Sequence, residues 1–370
     1  MKTTIIGLLL LLILVACSTT ETVKIGFIGP LTGTGAIYGT IELNAARLAL
    51  EDVNANGGIN GKQVELIVED GKCEGAASAT AATKLIEVNN VKYILGGHCS
   101  TESMSIVPVT EANKVLIMAG ATGTDKFIGA GRLAFRTFPS ATALYGKLAE
   151  VAFEKGTQTI VTFAEQKDWP QSVAGAFAKR FSELGGNVLS SETYEPGTQD
   201  FKPALLKIKE LNPEAVMITV QGPDSAAQII KQMHELGMTQ QIYGDALVVT
   251  QATYEKTNGA LPPNATGASS HVNPERSPET KAFLARYTQR FGAITLDPFV
   301  ATEGYDGMRI VADLITACGD DTSCARTTLL SKQWNGASGT FHFNEQGDAN
   351  PHIGIVRVEN GTLVFEYEGE

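Results

Sequence analysis

The chain has 370 residues, 43 % of them hydrophobic, and a formal net charge of −11. That is enough apolar material for two domains of ordinary size. The acidic balance, with no basic stretch, excludes a nucleic-acid surface, which needs clustered Lys and Arg.

At the N-terminus Lys2 precedes an apolar run from Ile5 to Val15. It is too short to span a bilayer as a mature helix but fits the apolar region of a secretory signal. Leu14-Val15-Ala16-Cys17 follows, in the pattern of a bacterial lipobox. Residues 1–16 are therefore expected to be a signal peptide. Cys17 would become the lipidated first residue, and residues up to 22 a polar tether. No later segment approaches the ~18 consecutive apolar residues of a membrane helix, so the body is expected to be extracytoplasmic and held to the membrane by lipid alone.

An exported chain favours paired cysteines. Four remain besides Cys17, and three connectivities are possible in principle. Cys318 and Cys324 share one short hydrophilic segment and make a local pair. Cys73 is left with Cys99, each just past a predicted strand, and the two loops meet if those strands are neighbours. No CxxC pair is present and the five histidines are scattered, so neither a zinc site nor any other metal is expected.

From Val23 to Ile28 the pattern is that of a buried strand, ended by Gly29-Pro30. A glycine-rich loop (Gly33, Gly35, Gly39) leads into a helix with Leu43, Ala46, Leu50 and Val53 on one face, stopped at Asn56-Gly57-Gly58. A strand over 64–68, an alanine-rich helix, and a strand from Tyr93 to Leu95 come next. Then Gly96 to Ser103 reads Gly-Gly-His-Cys-Ser-Thr-Glu-Ser, the composition of a strand-to-helix corner whose free N–H groups and hydroxyls attract an anion. In α/β sheets ligands dock at such corners. A further strand runs from Val115 to Met118. The β-α alternation calls for a doubly wound parallel sheet.

The rhythm restarts after Arg136-Thr137-Phe138-Pro139. Helix, Gly-Gly, strand, acidic loop, helix, Asn and strand occur in that order from Ala45 to Gly96 and again from Ala174 to Gly222, which points to two copies of one α/β lobe. After Ala268 comes a Pro-rich loop (Asn273 to Pro278), then helices over 279–291 and 299–317. Short strands near 340–343, 353–358 and 363–367 close the chain, the last two joined by an Asn360-Gly361 turn.

The glycines at 33, 35 and 39 are spaced GxGxxxG, not the GxGxxG of a dinucleotide loop, and no acidic residue stands at the required later position. No GxSxG, HExxH or Walker motif occurs. Nothing in the sequence signals an enzyme or a bound cofactor.

The ordered set of the lipobox, Gly29-Pro30-Leu31-Thr32-Gly33, Tyr38-Gly39, Asn54 to Gly61, Glu69 to Cys73, Gly97-His98-Cys99-Ser100 and Gly120-Ala121-Thr122 resembles the branched-chain amino acid binding proteins of ABC importers. The resemblance spans essentially the whole mature chain and is more specific in the first half. It implies a type I periplasmic-binding-protein fold, two doubly wound parallel-sheet lobes joined by three hinge crossovers. Lobe 1 would comprise residues 23–138 and 270–344, and lobe 2 residues 139–269 and 345–370. The hinges would lie near Thr137–Ser140, Ala268–His271 and Phe343–Glu345.

Residue by residue, the resemblance implies a Cys73–Cys99 disulfide and a ligand α-carboxylate held by the Ser100 hydroxyl and by Thr122. The Gly120 carbonyl would accept from an α-ammonium, with Ala121 beside it, and Tyr38 would line the side-chain pocket. Trp169 stands where the family often has Tyr, and Gln221 where it has another Tyr. The ammonium's acidic partner would fall at Ala246, one place after Asp245. Asp245 from a shifted register or Glu303 from the other lobe would then supply the charge, unless the ligand has no α-ammonium. The implied function is capture of a small amino acid, branched-chain or similar, or a related carboxylate, and its delivery to an ABC permease by a monomeric binding protein. A ligand-sensing protein that signals to a membrane receptor is the alternative, as is a binder of amides or aromatic acids.

Overall fold

The computed structural model describes residues 22–33, 35–270, 277–294, 296–349, 353–359 and 362–368. The signal peptide, Cys17, most of the tether and of the Pro-rich loop, His271 and the Asn360-Gly361 turn lie outside these residues.

An apolar run ending in glycine makes β1 (Val23–Gly29) a central strand, buried from Ile25 onward as parallel strands covered by helices on both faces are. The chain continues through α1 (Ala36–Ala55), β2 (Val64–Asp70), α2 (Gly75–Glu87), β3 (Tyr93–Gly96), α3 (Ser100–Ala112), β4 (Leu116–Ala119) and β5 (Ala134–Arg136). These strands form one sheet in the order β2-β1-β3-β4-β5, parallel throughout.

The second unit runs α4 (Ala141–Glu154), β6 (Thr159–Glu165), α5 (Asp168–Glu183), β7 (Asn187–Tyr194), α6 (Lys202–Leu211), β8 (Ala215–Thr219), α7 (Pro223–Glu235), β9 (Gln241–Gly244), α8 (Gln251–Lys256) and β10 (Thr266–Ser270). Its strands stand in the order β7-β6-β8-β9-β10, the order of the first sheet repeated. The internal repeat read from Ala45 and Ala174 is thus one topology used twice.

The chain then enters α9 (Pro278–Phe291), α10 (Phe299–Cys318), α11 (Thr322–Ser331) and the hairpin β11 (Gln333–Gly336) and β12 (Gly339–His342). Although late in sequence, α10 covers the first sheet: Met308, Val311 and Leu314 share a buried cluster with Ile25, Leu43 and Ala46. The last two strands, β13 (Ile353–Glu359) and β14 (Thr362–Glu368), return to the second sheet. Both are antiparallel to their neighbours, so the second sheet is mixed where a parallel one was expected. Only two residues separate β13 from β14 in sequence, and strands joined so closely pair antiparallel.

Three passages therefore link the two units, after β5, after β10 and after β12. The first and third are strapped together by Arg136, whose side chain is fully buried. Its Nε donates to Asp348 Oδ1 at 2.6 Å and its guanidinium also donates to the carbonyls of Thr122 and Thr124. The backbone seconds this, with Arg136 N donating to Gly347 O and Ala349 N to Arg136 O. No helix among the described residues is long and apolar enough to cross a membrane.

Candidate functional site

The corner from Gly96 to Ser103 is built by three local constraints. Gly96 and Gly97 both adopt positive φ, 110° and 75°, and a Cβ on Gly96 would collide with the carbonyl of Ile28; only glycine allows the turn to pass over the end of β1. Gly97 N then donates to Ile28 O and Gly71 N to Gly29 O. These bonds bring the loops after β3 and β2 over the same strand end. Cys73 and Cys99 are bridged there, Cα to Cα 5.4 Å. Strands β2 and β3 are not neighbours as the pairing had supposed, since β1 lies between them; the disulfide spans its end.

Glu102 completes the corner. Its carboxyl group accepts from Cys99 N at 3.0 Å, closing a capping box on α3, and from Cys73 N at 2.9 Å. Burial pushes its pKa up to about 7, against the pull of those two amides. The second bridge, Cys318–Cys324, closes the turn between α10 and α11.

Beside this corner, between the two units, lies a narrow slot. The first unit contributes Tyr38, His98, Cys99, Ser100 and Ala121, and the crossover after β5 contributes Phe138. Trp169, Gln221, Ala246 and Leu247 face them from the second unit, with Phe299 from the start of α10. About 40 Å³ remains open, room for a few waters at ~10–15 Å³ each. The two units touch along one edge. Asp168 receives Lys126 Nζ at 2.6 Å and Thr101 Oγ1 at 3.3 Å, Asp125 N donates to Ser172 Oγ, and Trp169 packs over Gly123. Beyond Gln221 a wider cavity of about 700 Å³ is rimmed by Lys167, Lys231 and Lys256, but the second unit alone walls it.

Of the residues singled out in the sequence, Tyr38, Ser100, Ala121, Trp169 and Gln221 meet in the slot. Ser100 Oγ accepts from Thr124 N at 3.3 Å, which leaves its proton to donate. Gln221 is held by Glu165 through its backbone N–H and sets its amide against Cys99 Sγ at 3.9 Å.

Four expected contacts fall outside the slot wall. Thr122 turns its hydroxyl to Gly97 O at 2.6 Å and to Ser103 Oγ, bracing the corner from behind. The Gly120 carbonyl already takes Phe138 N and Thr137 Oγ1. Asp245 is fully buried and accepts from the amides of Val220, Leu247 and Val248 at 2.8–3.1 Å; burial raises its pKa to about 7. It shapes the loop that presents Ala246 and Leu247. Glu303 is buried one helical turn beyond Phe299, and neither of its oxygens has a hydrogen-bond partner among the described residues. Burial, and then the negative charge of Glu42, holds its carboxyl well above the usual carboxylate range.

The Glu42 partner of His98, and Tyr145 and Asp297 behind the slot wall, carried no signal in the sequence. His98 lines the wall, with its Nδ1 2.8 Å from Glu42 Oε2 and its ring stacked on Tyr38 at 5.4 Å. Tyr145 fixes the facing loop, its hydroxyl accepting from Ala246 N at 2.9 Å and donating to Ala268 O. Asp297 accepts from Phe299 N and Ser269 Oγ and so sets the start of α10. Among the described residues no cluster of three or more His, Cys, Asp or Glu is placed to hold a metal.

A family model described as periplasmic binding protein matches residues 22–362. The chain is similar to a leucine-, isoleucine-, valine-, threonine- and alanine-binding protein of Pseudomonas aeruginosa, 24 % identical, with 89 % of this chain and 87 % of that one covered. Among solved structures it is similar to a leucine binding protein of Thermotoga maritima (TM-score 0.85, 26 % identity, 94 % and 98 % covered). It is also similar to a solute binding protein of an ABC transporter from R. palustris in complex with 4-hydroxybenzoate (TM-score 0.84, 21 % identity, 95 % and 96 % covered).

Proposed function

The chain belongs to the periplasmic binding protein family, and we propose that it captures a small carboxylate-bearing solute, an amino acid or a related acid, for an ABC importer. The observation that carries this reading is the slot, walled by both units, with Ser100 and the first amides of α3 on one side and Trp169 and Gln221 on the other. A carboxylate at Ser100 would meet a free hydroxyl and the positive end of a helix dipole, and charged hydrogen bonds of this kind contribute roughly 1.5–3 kcal/mol each.

The two lobes of this reading are residues 23–138 with 270–344, and 139–269 with 345–370. The packing of α10 against the first sheet and the return of β13 to the second support that division. A slot walled by both units supports a cycle in which the lobes part for entry and close on the solute, with contacts from both walls favouring the closed form. Thr122, Gly120 and Asp245 serve the site from behind by bracing the loops that face it. The lipobox at Leu14–Cys17 supports an extracytoplasmic protein anchored through a lipidated Cys17.

A thermal-shift panel of amino acids, amides and aromatic acids tests the proposal. A solute at 100 times its Kd adds about 2.7 kcal/mol of stability. If no carboxylate-bearing solute raises the Tm, the reading fails.

A further inference from the structure

Resting on that reading of the slot, we propose that His98 and Tyr38 form a recognition site for a second, oxygen-bearing group, making the preferred solute a flat aromatic carboxylate with a ring hydroxyl. Both residues stand in the same wall as Ser100.

Glu42 takes one nitrogen of His98, and stacking on Tyr38 at an interplanar angle of 17° fixes the ring. With Nδ1 held against the Glu42 carboxylate, Nε2 is the ring nitrogen left to meet a ligand group. The Tyr38 hydroxyl is buried and has no hydrogen-bond partner among the described residues. A buried hydroxyl left unpaired is costly, so a ligand group that completes it is favoured. A phenol hydroxyl, donor and acceptor in one group, has the chemistry to pair with both His98 Nε2 and Tyr38 Oη.

The rest of the slot suits a ring and not a zwitterion. Phe138 packs against Trp169 at 5.6 Å and Phe299 at 5.0 Å between ring centroids, giving aromatic surfaces that a planar solute stacks on. Among the described residues the wall offers an ammonium no charged acceptor. Asp245 is consumed by three amides, and Ala246 takes its place at the surface.

The test is calorimetric titration of the full chain, in mild detergent, with 4-hydroxybenzoate, benzoate and leucine, repeated on Tyr38→Phe and His98→Leu. The expected result is about tenfold tighter binding of 4-hydroxybenzoate than of benzoate or leucine, the worth of one good hydrogen bond. Tyr38→Phe and His98→Leu should each abolish the preference for 4-hydroxybenzoate over benzoate. Tighter binding of leucine, or a hydroxyl preference unmoved by Tyr38→Phe, overturns the inference and leaves carboxylate capture standing. Failure of all three solutes, together with every other carboxylate in the thermal-shift panel, sinks both.

Discussion

His98 Nδ1 lies 2.8 Å from Glu42 Oε2, joining the β3–α3 corner to the middle of α1 across 56 residues of sequence. Both side chains are buried, and the pair adds a fixed polar edge to the slot wall that carries Ser100. From this corner, its disulfide and the strap between crossovers, several outcomes can be measured.

Ser100→Ala should weaken binding of any carboxylate solute by roughly 1–3 kcal/mol, the worth of a hydrogen bond to a charged group, and should also lower the Tm of the free protein, since Thr124 N loses its acceptor. Titration of the variant decides this. Equal affinity would remove Ser100 from the site.

Removing the bridge in a Cys73→Ser/Cys99→Ser double variant should destabilise the fold by about 3–4 kcal/mol, as expected for a loop of this size, since the two positions are 26 residues apart. Urea unfolding of the variant against the parent reads the difference. A loss below about 1 kcal/mol would mean that the carboxyl group of Glu102, which holds both cysteine amides, secures the corner by itself.

Stability should fall as pH rises through neutrality. Burial lifts Glu102 and Asp245 to about 7 and Asp297 to about 6, so the folded chain holds protons that the unfolded chain has already released. The contribution is complete below the unfolded pKa of about 4 and is lost as pH climbs through about 7. Melting scans between about pH 5 and pH 8 should show the Tm dropping. A Tm that rises over that interval contradicts the assignment. Glu303, with two oxygens unpartnered among the described residues, should add to the trend: Glu303→Gln removes the need to hold a buried proton, so its stability relative to the parent should grow with pH and solute affinity should not change.

Arg136→Met should cost about 3–5 kcal/mol, because it strands Asp348 and frees two carbonyls at the point where two crossovers meet. Thermal unfolding with and without Asp348→Asn separates the stranded charge from lost packing. If the double variant is no more stable than Arg136→Met alone, the charge is not the cause.

The α/β alternation was legible because parallel strands covered on both faces appear as unbroken apolar runs, as in Tyr93–Leu95, and their helices carry apolar residues at helical spacing. The Gly96–Ser103 corner was legible for a related reason, that positive φ at Gly96 and Gly97 and a helix start at Ser100 each demand particular residue types. The strands β5, β9 and β11 were not, because each carries at most two apolar residues beside polar ones or glycine and so lacks an unbroken apolar run. The pairing of His98 with Glu42 left no trace either, being made by tertiary packing between distant elements. Asp245 and Ala246 illustrate the same limit: which of two adjacent residues faces the slot depends on three backbone amides that only the folded loop brings round.

The two tryptophans, Trp169 and Trp334, offer the most direct measurement, since only Trp169 borders the slot and Trp334 is buried in the core of the first unit. In a Trp334→Phe background, fluorescence of Trp169 should change saturably on adding a carboxylate solute and should not respond to the same solute with its carboxylate converted to the amide. An equal response to acid and amide, or none to any acid, would contradict capture of a carboxylate at Ser100 between the two lobes.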